Sequence, residues 1–440
     1  MRPVGQSYGQ NRLSDTQPMP AAEIRAKYNA YRQTIERRRE VLRTPQPQPA
    51  RRKPRTSAKT KYEKYFDYDL LLVIIFLMCF GLVMLYSVSS YEADADFGND
   101  LYYFTRQALI GAAGFVVMFV VSKIDYHIYG AFAFEIYIFA MFMMALVQTP
   151  LGLEFNGARR WIRLPGNQTL QPAEITKIAV ILFIAYELCR LGKKAYTLKG
   201  MIRVFAFGAI ASGGVLFLTD NLSTAIIVMA ITCILIFVTH PKTKPFVAIV
   251  VVGALIAAVG IIILSVMIAN TDAAGSDNFR LQRVISWLNP EATAATGSYQ
   301  VMQGLYAIGS GGLFGKGLGN STQKLGVIPE AQNDMILVVI CEELGVFGAL
   351  LILILFGVLL YRLMFIAKNA PDLYGSLIAT GIFAHIALQV ILNIAVVTGL
   401  LPTTGITLPF ISYGGTAILF LMAEMGVALG ISRRIRLEVE

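Results

Sequence analysis

Apolar residues in this chain come in long blocks separated by short polar breaks. With about 20 apolar residues as the length that crosses a hydrocarbon core, the pattern predicts ten helical spans. They fall at approximately 68–90, 104–122, 128–149, 172–190, 203–219, 222–239, 245–269, 334–367, 374–399 and 407–431. Blocks this long and this frequent exceed what one soluble core can bury, so the expected fold is an all-α polytopic membrane protein. Residues 1–66 form a tail without an apolar block, 67–436 the ten-helix transmembrane domain, and 437–440 a short end. Most breaks are brief. The exception is 270–333, some 64 residues, expected as a large extracellular loop between helices 7 and 8.

Ten spans return both termini to one side, and Lys and Arg decide which side that is. With the tail and the final SRRIR in the cytoplasm, 29 of the 38 Lys and Arg lie inside and nine outside. The bias supports a multi-pass plasma-membrane protein with both termini cytoplasmic. A hydrophobic content of 55% and a mean hydropathy of +0.59 agree. The formal net charge of +10 suggests nucleic acid until it is located. Residues 1–60 hold 14 Lys/Arg against 4 Asp/Glu, so the remainder is neutral and no nucleic-acid partner is expected. The tail is rich in Pro, Gln and Arg, lacks the apolar core of a signal peptide, and is expected to be largely disordered. It suits an anchor near anionic lipid or a cytoplasmic docking segment. Cys79, Cys189, Cys233 and Cys341 all sit in apolar segments without metal spacing, which removes disulfide and zinc readings.

The nine outer cations are informative because they oppose the charge rule. Three crowd into NGARRWIRLPG (156–166), as Arg159, Arg160 and Arg163. Arg donates a planar pair of hydrogen bonds to phosphate, so the loop is either an anionic-ligand site or a headgroup anchor. SGGLFGKGLGNSTQKLGVIPE (310–330) has repeated Gly, which permits close backbone approach, and stays positive through Lys316 and Lys324. Lys324 is a further candidate for substrate binding. The Walker spacing is absent, so a nucleotide fold is not expected.

Carboxylates in apolar helices are costly and usually functional or paired. In QPAEITK (171–177), Glu174 and Lys177 stand three apart on one helix face and can pair; Glu174 also complements a helix N-terminus. Asp334, at the outer threshold of the eighth span, is either a cap or a general base whose pKa is raised by a dry interface. Glu342 and Glu343 lie deeper and read as buried pairing partners. His385, Gln389 and Asn393 form one polar stripe at i, i+4 and i+8, suited to joining helices or lining a cavity. GLLPTTGITLPFISYGG (399–415) implies broken backbone at the outer face, which must be covered by protein or line water.

Four blocks, NGARRWI (156–162), QPAEITK (171–177), GLGNSTQKLGVIPEAQNDMILVVICEELG (317–345) and GLLPTTGITLPFISYGG (399–415), resemble the SEDS family (shape, elongation, division and sporulation). The resemblance covers residues 68–436, and GNSTQKLGVIPEA is more similar to division-type or sporulation members than to elongation members. It implies a peptidoglycan glycosyltransferase polymerising lipid II, with release of polyprenyl pyrophosphate, at the division septum. The implied partners are a class B penicillin-binding protein, other divisome proteins and membrane lipid. It also implies a divalent cation, Mg or Mn, and no organic cofactor. The family's essential aspartate matches Asp334, its fourth-span Glu and Lys match Glu174 and Lys177, and its external arginines match Arg159 and Arg160. Family members commonly carry His-Thr before the aspartate and Phe after it, where this chain has Gln332-Asn333 and Met335. No role carries onto Asp220, because TDNLSTA (219–225) departs from the family block. A lipid II transporter and a division-complex scaffold are the rival functions.

Overall fold

The computed structural model describes residues 2–3, 61–155, 158–164, 168–242, 279–291, 293 and 298–439, with isolated positions between 244 and 263. Helices dominate. α1 (Tyr68–Phe97) begins where Asp67 accepts a hydrogen bond from the Leu70 amide at 2.9 Å, and α2 (Tyr102–Lys123) follows after a short turn. The predicted third span is two helices, α3 (Tyr126–Ala131) and α4 (Ala133–Leu146), separated at Phe132. A small antiparallel sheet comes next, β3 (Gly152–Phe155), β4 (Ala158–Leu164) and β5 (Gln168–Leu170), with β4 central. α5 (Pro172–Leu191), α6 (Leu198–Leu218) and α7 (Leu222–Thr239) follow. Short strands β1 (Arg2–Pro3) and β2 (Lys61–Lys64) flank β6 (Arg436–Val439) near the chain ends.

α5 is the central helix. Pro172 occupies its first turn, where the missing amide costs nothing, and 16 of its 20 residues are buried, so the helix is enclosed on every side. Among the described residues six helices are long and apolar enough to cross a membrane: α1, α2, α6, α7, α10 (Ile336–Asn369) and α11 (Leu373–Val397). α4 and α12 (Ala417–Ser432) are shorter apolar helices. α1 and α10 turn large side chains such as Phe76, Val83, Phe347 and Ile354 outward, a surface that only hydrocarbon accommodates in quantity. The chain is a helical, multi-pass membrane protein. The predicted span 245–269 lies mostly outside the described residues, with only isolated positions among them.

Two expectations need correction. Residues 270–333 are not simply a loop, since they contain α8 (Phe279–Leu288) and α9 (Tyr299–Gly311). Both are too short to register against a 20-residue apolar measure. The last helix starts at Ala417, not 407, because Pro409, Gly414 and Gly415 fall in the preceding turns and the 403–407 backbone is held by side chains instead.

α10 is interrupted. Gly345 has φ 66° and ψ −161°, which only Gly adopts without strain, and the break frees carbonyls that the Gly-rich segment satisfies. The Lys316 and Gly317 amides donate to the Glu342 and Glu343 carbonyls, each at 2.9 Å, and the Val346 and Phe347 amides donate to Gly312 and Leu313 at 3.0 and 3.2 Å. The repeated glycines therefore admit backbone against backbone: a Cβ on Gly345 would lie 2.4 Å from the Gly315 nitrogen.

Candidate functional site

Asp334 lies in the turn before α10. The N-cap position is Met335 and no side chain caps the helix, so capping does not account for this carboxylate. Its neighbours come from elements far apart in sequence. Gln300 Nε2 on α9 donates to Oδ1 at 3.4 Å, and Asn393 Nδ2 on α11 donates to the Asp334 carbonyl at 2.9 Å. The side chain is half-buried, and burial pushes its pKa up to about 6, with the Glu330 charge acting in the same direction. Its own amide, the Arg283 guanidinium on α8 and Gln300 oppose the rise.

The extended stretch Thr403–Thr407 joins this turn to the rest of the outer end. Its carbonyls are taken one after another by side chains from three helices. Arg283 Nη1 donates to Thr403 at 3.0 Å, Ser223 Oγ on α7 to Thr404 at 2.9 Å, Asn393 Nδ2 to Ile406 at 2.7 Å, and Gln389 Nε2 to Thr407 at 3.0 Å. Non-helical backbone at membrane depth survives only when satisfied in this way. The turn that follows the segment is seated against α1, where a Cβ on Gly81 would meet the Phe410 carbonyl at 2.7 Å.

The Glu174–Lys177 pair joins the same framework. Lys177 Nζ lies 2.9 Å from Glu174 Oε1 and donates to Gln389 Oε1 at 3.5 Å, with both charges buried. Gln389 and Asn393 are one turn apart, about 6 Å along the axis, so Lys177 and Asp334 stand within about one turn of each other in depth. The third member of the stripe, His385, packs its Nδ1 2.8 Å from Glu424 on α12. The stripe thus joins helices and also fixes the Asp334 turn.

Arg159 and Arg160 sit on β4. Arg159 is exposed and pairs across the strands with Glu154 at 3.2 Å, a weak surface contact. Arg160 Nη2 donates to the Asp220 carbonyl at 3.2 Å, just before α7, and Thr416 Oγ1 ties β5 to α12 through the Thr169 carbonyl at 2.7 Å. Contacts therefore run from Arg160 through the start of α7 and Thr403–Thr407 to Asp334.

Lys324 is placed differently. It is buried, with Nζ 2.9 Å from Glu343 Oε1 and 3.1 Å from Ser87 Oγ on α1. Glu342 is enclosed by Lys316 Nζ at 2.6 Å, by the hydroxyls of Ser321 and Thr322, and by the Thr322 and Gln323 amides. Both glutamates are buried pairing partners, and through them Lys316 and Lys324 clamp the Gly-rich segment onto α10.

Among the described residues no three His, Cys, Asp or Glu side chains converge as a metal cage. Sequence reading did not find Arg283 or Gln300. Arg283 was signalled only as one of the nine cations on the unexpected side, 51 positions from Asp334.

The profile of the FTSW_RODA_SPOVE family, described as cell cycle protein, matches residues 68–437. Stage V sporulation protein E of Bacillus subtilis (strain 168) is 39% identical over 371 residues, covering 83% of this chain and 97% of that protein. A probable peptidoglycan glycosyltransferase FtsW of Trichlorobacter lovleyi is 36% identical over 373 residues, with 84% and 94% covered. The fold is similar to a chain in a structure concerned with coordination of polymerization and crosslinking by a peptidoglycan synthase complex, with a TM-score of 0.65, 23% identity, and 84% and 98% covered. The RodA crystal structure from Thermus thermophilus gives a TM-score of 0.57 at 24% identity, with 84% and 97% covered. On its sequence, its relatives and its fold, this chain belongs to the FtsW/RodA/SpoVE family of membrane proteins.

Proposed function

We propose that this chain is a peptidoglycan glycosyltransferase that polymerises lipid II into glycan strands during cell division. The observation that carries the reading is Asp334, a half-buried carboxylate titrating near 6, held between Arg283, Gln300 and Asn393 at the end of the bundle where the family's arginines and Glu-Lys pair also lie. Proteins of 35–37% identity named peptidoglycan glycosyltransferase FtsW support it.

In the reaction, Asp334 takes the proton from the acceptor sugar's 4-hydroxyl. That oxygen bonds to the donor's anomeric carbon, whose bond to the pyrophosphate oxygen breaks, and polyprenyl pyrophosphate leaves. A positioned general base is typically worth about 10²–10⁴-fold. Arg159 exchanges its weak contact with Glu154 for the pyrophosphate, Arg160 and Lys177 add positive charge where the leaving group develops its own, and Glu174 holds Lys177 in place. Lys324 serves substrate binding through the Gly-rich segment that it anchors. A divalent cation, Mg or Mn, held largely by the substrate's own phosphates as Mg commonly is, would neutralise pyrophosphate charge.

We place the chain in the plasma membrane with ten spans, both termini cytoplasmic, and the Asp334 end facing outward at the septum. A class B penicillin-binding protein is the partner, with other divisome proteins around it. A related chain occurs in a peptidoglycan synthase complex, which supports this assignment. The test is polymerisation of labelled lipid II by the purified chain in detergent, with the cognate transpeptidase present. Glycan strands are expected. Their absence there, with lipid II translocation in sealed vesicles, would instead favour a carrier.

A further inference from the structure

The bundle end opposite Asp334 contains a cavity of about 1140 Å³. It is bounded by the start of α1, the α2–α3 turn, the α10–α11 turn and the chain after α12. Lys123, Lys368, Arg433, Arg434 and Arg436 line it against one described carboxylate, Asp372. That carboxylate is already engaged: it accepts hydrogen bonds from the Tyr126 hydroxyl and the Gly375 amide and contacts His127 Nε2 at 3.0 Å. Arg434 pairs with Asp125 at 2.8 Å, outside the set of lining residues. Lys123, Lys368 and Arg436 have no ion-pair partner among the described residues. Arg433 stacks over the Phe66 ring at 4.9 Å, and its Nε is buried with no hydrogen-bond partner.

Basic residues at helix ends ordinarily splay into solvent. Here they converge on one concave space, where like charges repel unless an anion is present, and where a buried donor remains unsatisfied. Forked Arg donors suit phosphate oxygens. The source of the phosphate is indicated by the rim, because Tyr68 and Phe119 also line the cavity and are 71% and 40% exposed on the lipid-facing side of α1 and α2. Aromatic side chains at that depth lie beside headgroups and acyl chains. The chain's own tail is a poor occupant, since residues 1–60 hold 14 Lys/Arg against 4 Asp/Glu.

We propose that this cavity binds the phosphate of an anionic phospholipid headgroup, with Arg433, Lys368 and Arg436 as principal ligands and the acyl chains leaving past Tyr68 and Phe119. The site is separate from Asp334 and does not depend on the reaction assigned there.

The full chain is purified in detergent, exposed to phosphatidylglycerol or to phosphatidylcholine of the same acyl composition, and examined by native mass spectrometry. Phosphatidylglycerol is expected to be retained selectively. Each of Lys368→Glu and Arg436→Glu changes the local charge by two and is expected to lower retention about 25-fold, since one cation near an anionic surface is worth about fivefold. If the double variant fails to fold, Lys368→Gln is expected to show a single loss of about fivefold. Equal retention of the two lipids, or retention unchanged in the variants, overturns the proposal. Displacement of phosphatidylglycerol by millimolar inorganic phosphate overturns the lipid assignment in favour of the free ion.

Discussion

A carboxylate titrating at about 6 is protonated in mild acid and ionised above neutrality. With Asp334 as general base, polymerisation rate is therefore expected to rise with pH through about 6 and level off above it. The Arg283 charge favours the ionised form, so Arg283→Gln is expected to move this acid limb to higher pH, while Glu330→Gln moves it lower. A limb that stays in place in both variants would remove Asp334 as the titrating base. The same raised pKa has a stability consequence. Relative to 3.8, the elevation means that the folded state holds its proton more tightly than the unfolded chain does, and this contribution is lost as pH rises through about 6. Asp334→Asn is accordingly expected to melt no lower than the parent protein at pH 7.5, measured by thermal unfolding in detergent. At this scale Asp334, Glu174 and Lys177 were legible, because acids and cations at the edge of apolar blocks stand out. Arg283 and Gln300 were not, since only the folded 270–333 segment brings α8 and α9 against the Asp334 turn.

The element that follows this turn is the interrupted α10 with its Gly-rich clamp. Lys324 and Glu343 are both buried, and removing one partner of a buried pair leaves an uncompensated charge. Lys324→Met is expected to cost about 3–5 kcal/mol, whereas Lys324→Met with Glu343→Leu recovers most of it. Thermal unfolding of the two variants checks this; equal destabilisation would mean that the pair does not hold the clamp. The apolar spans could be placed from sequence because hydrocarbon thickness sets their length. The break at Gly345 could not, since the apolar run passes through it without interruption. The glycines of 310–330 predicted a close backbone approach, and the backbone they approach proves to be that of α10. α8 was missed because ten residues alternating Arg and Gln with Leu, Val and Trp look like loop against a membrane-length measure.

Across the whole molecule, polar chemistry gathers at one end of the bundle around Thr403–Thr407, and a basic cavity occupies the other. The membrane class and the bias of charge were readable from composition and spacing, but the meeting of α7, α8 and α11 at one extended stretch of chain, with α5 joined through Gln389, was not, because no local pattern encodes which helices share a depth. The proposed orientation places the α1–α2 turn outside and the α5–α6 connection inside. In a cysteine-free background, Asn99→Cys is expected to react with an impermeant maleimide on intact cells, and Lys193→Cys only after permeabilisation; the reverse pattern would invert the topology and move Asp334 to the cytoplasmic face. The most direct measurement compares the parent protein with Asp334→Asn, each purified with its transpeptidase partner, for both lipid II binding and glycan synthesis. Binding retained with synthesis abolished is the predicted result, and synthesis at the parental rate by the Asn variant would contradict it.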